Sequence, residues 1–128
     1  MRFSPLLLSL FGTASVVIFE AESAVRAGVL TIESAVAGYT GTGYVAGWDD
    51  AADTLTFSVT GLTAGSYDIG IVYSAQFGNK VTQLTVNGGS TSDIAITNTT
   101  GTWATAKAGS YALTAGTNTV RLDSFWGY

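Results

Sequence analysis

From residue 54 onward, hydrophobic positions recur at every second residue. Thr54 to Thr60 alternates without a fault, with Leu55, Phe57 and Val59 facing one way and threonines and a serine the other. That period of two predicts a half-buried strand. Past the turn Gly61 to Gly65, the residues Tyr67, Ile69, Ile71 and Tyr73 share a face opposite Asp68 and Gly70, so the two runs together predict a hairpin. Val81 to Val86 predicts a further strand, closed by Asn87-Gly88-Gly89, a strong turn signal. Ser92 to Thr97 turns Ile94 and Ile96 inward. Ser110 to Leu113 and Asn118 to Leu122 flank Ala115-Gly116 as a second hairpin. Upstream, Val16 to Phe19 is a β-rich run that opens into Glu20-Ala21-Glu22-Ser23. Helical periodicity is nearly absent. Short strands at regular spacing, glycine-rich turns and a single proline predict an all-β sandwich in one domain over residues 15–128, with no internal linker.

Two stretches break the alternation. Gly38 to Asp50, GYTGTGYVAGWDD, packs four glycines, two tyrosines, a tryptophan and two carboxylates into thirteen positions. Glycine permits close backbone approach, and tyrosine and tryptophan offer flat amphipathic faces, so the segment reads as part scaffold and part contact surface. Residues 1–14 place Arg2 before the apolar run Leu6 to Phe11 and end on small residues at Ala14. A basic start, a short apolar centre and a small-residue exit are the parts of a secretory signal. The alternative is a first apolar strand, against which Pro5 and the leucine run weigh. The run is too short to span a membrane as a helix, and no other stretch approaches that length. A secreted, extracellular monomer without a membrane partner is the expectation.

Composition narrows the chemistry. The 128 residues are 47% hydrophobic and 11% charged, which argues for a packed core and against disorder. Five basic against nine acidic residues, net −4, do not make the positive field that nucleic acid requires. With no histidine and no cysteine, the serine and cysteine nucleophile triads, nitrogen- and sulfur-ligated zinc and disulfides are all excluded. What remains is oxygen ligands, carboxylates and aromatic faces.

Glu20 and Glu22, two apart on what reads as one strand, point their carboxylates to the same side. Such a pair suits a hard cation or stands as an exposed acidic edge. It also resembles the acid and nucleophile of a glycosidase, but no cleft is legible between the two. The aromatics Tyr39, Tyr44, Trp48, Phe77, Trp103, Phe125, Trp126 and Tyr128 fall in or beside loops. A sugar site pairs a flat aromatic with a few polar groups, and Gln76, Asn79, Lys80 and Asp123 are candidates for the latter. Trp48 and Trp103 are expected to be largely buried, Trp126 the most exposed.

The ordered set EAES at Glu20 to Ser23, GYTGTGYVAGWDD, TGTW at Thr100 to Trp103 and AGTNTVRL at Ala115 to Leu122 resembles carbohydrate-binding module family 35, close to family 6. The resemblance implies a non-catalytic β-jelly-roll attached to a plant cell-wall-degrading enzyme. It implies a structural calcium held by Glu20 and Glu22 with backbone oxygen near Gly41. The family completes that site with an aspartate on a last strand, and the sequence ends before it, so a jelly roll without its last strand is expected. Carried over residue by residue, sugar contacts fall on Tyr44, Gln76, Asn79, Lys80 and Trp126, with Trp103 and Asp123 beside them. GYTGTGYV and the late WGY are similar to modules of secreted fungal mannanases. The implied partner is a plant cell-wall polysaccharide, β-mannan or galactomannan first and uronic-acid-containing glycans second. A secreted lectin-like adhesion domain and, behind it, a small glycosidase or polysaccharide lyase are the alternatives.

Overall fold

A computed structural model describes residues 3–12, 16–75, 78–97, 99 and 102–126, of which residues 3–11 and 126 are described by their backbone. Eleven strands follow one another among these residues: β1 (Phe3–Phe11), β2 (Val16–Glu20), β3 (Val25–Ala27), β4 (Thr31–Glu33), β5 (Tyr44–Ala46), β6 (Thr54–Val59), β7 (Gly65–Ala75), β8 (Lys80–Val86), β9 (Thr91–Ile96), β10 (Ala104–Leu113) and β11 (Asn118–Trp126). One sheet runs β10-β7-β1-β2, the other β3-β6-β11-β8-β9, and β4 with β5 forms a small ribbon. The sandwich expected from the period-two patterning is therefore present, and the inward positions are those the alternation assigns. Leu55, Phe57 and Val59 from β6, Tyr67, Ile69, Ile71 and Tyr73 from β7, and Ile94 and Ile96 from β9 are all buried in one core with Trp48.

Two expected hairpins are arches instead. β6 lies in the five-stranded sheet and β7 in the four-stranded one, and the same holds for β11 and β10. A glycine-rich turn and alternating flanks are shared by a strand that returns beside its predecessor and one that crosses to the facing sheet, so local pattern does not separate them. Asn118 secures the second arch from inside: fully buried, its Oδ1 accepts from the Thr114 amide at 3.0 Å and its Nδ2 donates to the Thr114 carbonyl at 2.9 Å. The Asn87-Gly88 turn, by contrast, closes a true β8–β9 hairpin. Asn87 at φ 52° and Gly88 at φ 68°, with the Gly89 amide donating to Val86 O at 3.0 Å, give the mirror-image turn that matches strand twist.

The segment Phe3–Phe11, which carries the export-signal chemistry, is paired here as a strand in the interior of the four-stranded sheet, antiparallel to β2 on one side and β7 on the other. Pro5 stands beside the register shift between Pro5 and Leu7, where a strand tolerates a missing N–H.

Candidate functional site

The antiparallel order brings the end of β7, the start of β8, the end of β9, the start of β10 and the end of β11 to one edge of the sandwich. Asn79, Lys80 and Trp103 are therefore at the same end, with the backbone of Trp126. Lys80 stands opposite Ile96 in register. The neighbouring chain is tied to β7, since Tyr73 Oη accepts from the Thr97 amide at 3.1 Å and the Thr99 amide donates to Ala75 O at 2.7 Å.

Onto this end folds the loop between β4 and β5. Tyr44 opens β5 and is 1% exposed; its hydroxyl accepts from the Val36 amide at 2.9 Å, and its ring lies under Trp103 at 5.3 Å and beside Tyr39 at 6.1 Å, edge to face in both cases. Trp103 is only half-buried, and its indole N–H donates to Ala37 O at 2.8 Å. Gly38 makes that approach possible, because a Cβ there would stand 3.0 Å from Trp103 Cδ1. Both aromatics are expected sugar contacts, and burial separates them. Tyr44, expected as a sugar contact, is sealed beneath its neighbours and cannot be reached by a ligand. Trp103, expected to be largely buried, keeps part of its ring exposed at the rim. Trp48 is fully buried as expected.

The remaining candidates divide. Asn79 is exposed and Lys80 half-buried at the loop end. Gln76 and the Trp126 side chain lie outside the described residues. Asp123 is on the outer face of the five-stranded sheet, where its carboxylate accepts from Arg121 Nε at 2.6 Å and Nη2 at 3.1 Å. It is occupied by its own strand neighbour.

Glu20 and Glu22 do not share a strand: Glu20 ends β2 and Glu22 sits in the 3-10 turn Ala21–Ser23. Both carboxylates nonetheless reach the same loop. Thr40 Oγ1 donates to Glu20 at 2.7 and 3.0 Å, and Thr42 donates to Glu22 through its amide at 2.8 and 2.9 Å and its hydroxyl at 2.7 Å. The Thr42 hydroxyl and then its amide hold the Glu22 carboxyl below its ordinary pKa. Between the two threonines, Gly41 adopts φ 62°, and a Cβ on it would fall 2.0 Å from Glu22 Oε1. The carboxylate occupies the space that glycine leaves. The threonines are the partners that sequence reasoning missed, although the signal was present in the T-G-T spacing around Gly41.

A second missed residue is Asp53. Fully buried, its carboxylate accepts from the amides of Val29 at 2.8 Å and of Asp49 and Asp50 at 3.0 Å. It fastens the far end of the glycine-rich segment, beside the exposed Asp49 and Asp50.

A family model described as carbohydrate binding module (family 35) matches residues 17–128. The chain belongs to that family. A mannan endo-1,4-beta-mannosidase of Thermothelomyces thermophilus is 39% identical over 91% of this chain and 24% of its own length. An isomaltosyltransferase of Sporosarcina globispora is 40% identical over 82% of this chain and 10% of its own. Among solved structures, the Podospora anserina GH26-CBM35 β-(1,4)-mannanase superposes with TM-score 0.78 at 36% identity, over 86% of this chain and 24% of that one. The chain thus spans a quarter or less of each. As a family 35 module it is a non-catalytic polysaccharide-binding jelly roll.

The donors of this family 35 module fit the calcium half-way. The Glu22 carboxylate lies in the Gly41 cradle with the Thr42 hydroxyl on it, and Glu20 meets the same loop at Thr40; hard oxygen donors of this kind are what calcium takes. No third acidic residue joins them among the described residues, so backbone carbonyls and water would have to complete six or more ligands. Glu20 and Glu22 would hold the ion, which would supply positive charge against their mutual repulsion.

Proposed function

We propose that this module binds β-mannan or galactomannan at the loop end of the sandwich, outside the cell, and delivers an attached catalytic domain to plant cell-wall polysaccharide. The observation that carries the reading is Trp103: a half-exposed indole, fixed by the Ala37 carbonyl and backed by Tyr44, at the end of the fold that also holds Asn79 and Lys80. A sugar presents an apolar C–H face to such a ring and its hydroxyl rim to amide and ammonium groups. Trp126 ends β11 at the same edge and is the second proposed platform. The mannosidase and mannanase relatives support mannan as the ligand, and the basic, apolar, small-residue order of residues 1–14 supports secretion. Calcium at Glu20, Glu22 and the Gly41 loop is the proposed structural ion.

The test is affinity electrophoresis in galactomannan, glucomannan, xylan, pectin and α-glucan gels. Retardation by galactomannan is expected, and free migration in every gel would sink the proposal. The isomaltosyltransferase relative favours α-glucan as the second reading, and retardation in that gel alone would reassign the ligand. Retardation in pectin alone would point to uronic acids.

A further inference from the structure

Residues 36–42 belong to neither sheet of the sandwich. Their hydrogen bonds to other elements among the described residues each use a side chain. At one end the Val36 amide donates to Tyr44 Oη at 2.9 Å, and the Ala37 carbonyl accepts the Trp103 indole N–H at 2.8 Å. At the other end Thr42 donates to Glu22 through its amide at 2.8 and 2.9 Å and through its hydroxyl at 2.7 Å. Between the two attachments stand Gly38 at φ 100° and Gly41 at φ 62°, of the residue type with the widest backbone freedom. An arm with two such pivots and no ladder of its own keeps its course only while both ends are fastened. Trp103 feels that course directly. Its indole N–H is held by Ala37, its Cδ1 edge lies against Gly38, and its face is backed by Tyr44, which Val36 holds in turn.

We propose that Glu22 and Thr42 are positioning residues for sugar binding: they fasten the arm 36–42, and the arm sets the orientation of the Trp103 ring. The inference rests on the reading of Trp103 as the sugar platform and extends it to residues that the sugar does not touch. The Ala37 bond uses the indole N–H, so the ring meets the sugar through its apolar face. What such a face contributes depends on its tilt against the C–H face of the sugar. Binding constellations keep their affinity only when held within about 0.5 Å and about 10–20° of the productive geometry by supporting hydrogen bonds and packing. Here that support runs from the 3-10 turn that carries Glu22, through Thr42 and Ala37, to the indole.

The experiment uses the full chain in EDTA, so that the effect read is that of the hydrogen bonds. Two quantities are measured: affinity for mannohexaose by calorimetry, and hydrogen-exchange protection of the Trp103 indole N–H by NMR, its resonance assigned by its loss in Trp103→Ala. Glu22→Ala is expected to weaken binding about tenfold and Thr42→Val about threefold, in line with the net worth of the bonds each removes. Indole protection should fall in the same order. Thr42→Ser restores the hydroxyl and should match the wild type in both readouts. Thr42→Val keeps the amide bond and reads the link even where Glu22→Ala fails to fold. Val59→Ala, which opens a cavity at the opposite end of β6, lowers stability and should move neither quantity. An equal fall in Val59→Ala would reduce the effect to global stability and overturn the inference. Unchanged protection and affinity in Glu22→Ala and Thr42→Val, with binding abolished by Trp103→Ala, would overturn it while leaving the platform in place. Lost protection with wild-type affinity would overturn it as well, because the sugar would then be indifferent to how the ring is held. Full affinity in Trp103→Ala would remove the platform itself, and the positioning role with it.

Discussion

Thr42 holds Glu22 by two separate groups, its backbone amide at 2.8 and 2.9 Å and its hydroxyl at 2.7 Å. The contact joins the 3-10 turn after β2 to the glycine-rich loop and, through that loop, to Ala37 and Trp103. Because the pair is largely solvated, its worth is set by hydrogen bonding and is reduced by screening. Thr42→Val keeps the amide bond and loses the hydroxyl one. A loss of about 0.5–1 kcal/mol is expected, read as a melting-temperature decrease of about 2–5 °C in a chain of this size.

The same contact gives a pH dependence with a definite sign. The folded-state pKa of Glu22 is lowered, so its contribution is present above the ordinary carboxylate pKa of about 4.3 and is lost as pH falls through the lower folded value. The stability gap between wild type and Thr42→Val should be constant from pH 7 to 5 and close below about pH 4. A gap that widened with acid would contradict the assignment.

Gly41→Ala should be more damaging than its size suggests. It places a methyl group 2.0 Å from Glu22 Oε1 and demands φ 62° of a residue with a Cβ. Displacement of the carboxylate is expected to cost about 1–3 kcal/mol and to abolish any calcium response. In the wild type, EDTA should lower the melting temperature. An EDTA-insensitive melt would remove calcium from Glu20 and Glu22.

Trp103 and Tyr44 make a discriminating pair. Trp103→Ala should abolish retardation in galactomannan gels, while Tyr44→Phe should leave it intact. The latter orphans the Val36 amide and should lower stability by about 1 kcal/mol. If Tyr44→Phe abolished retardation with its melt unchanged, the buried tyrosine would have to be returned to the sugar site.

Asp53→Asn replaces an acceptor of three amides with a group that carries its own donors. With the carboxylate fully buried, a loss of about 2–4 kcal/mol is expected, seen by chemical denaturation. A change under about 0.5 kcal/mol would show that the Val29 and Asp49–Asp50 segments do not depend on it.

By itself, the sequence determined the all-β class, the inward residues of β6, β7 and β9, the Asn87-Gly88 hairpin and the family. Each is carried by period-two burial or by backbone chemistry at adjacent residues, and both are local. Tertiary structure decided which strands are neighbours. It turned two expected hairpins into arches, put Phe3–Phe11 between β2 and β7, and joined Glu20 and Glu22 to Thr40 and Thr42 from two different elements. It also decided how far the aromatics at the loop end are buried, Tyr44 almost wholly and Trp103 in part. Tyr44 and Trp103 are equally suited to a sugar by type, and only packing places one on top of the other. The residues that share a site here lie twenty to sixty-six positions apart, and at such separations the side-chain pattern along a strand says which face a residue takes, not which residue it will meet.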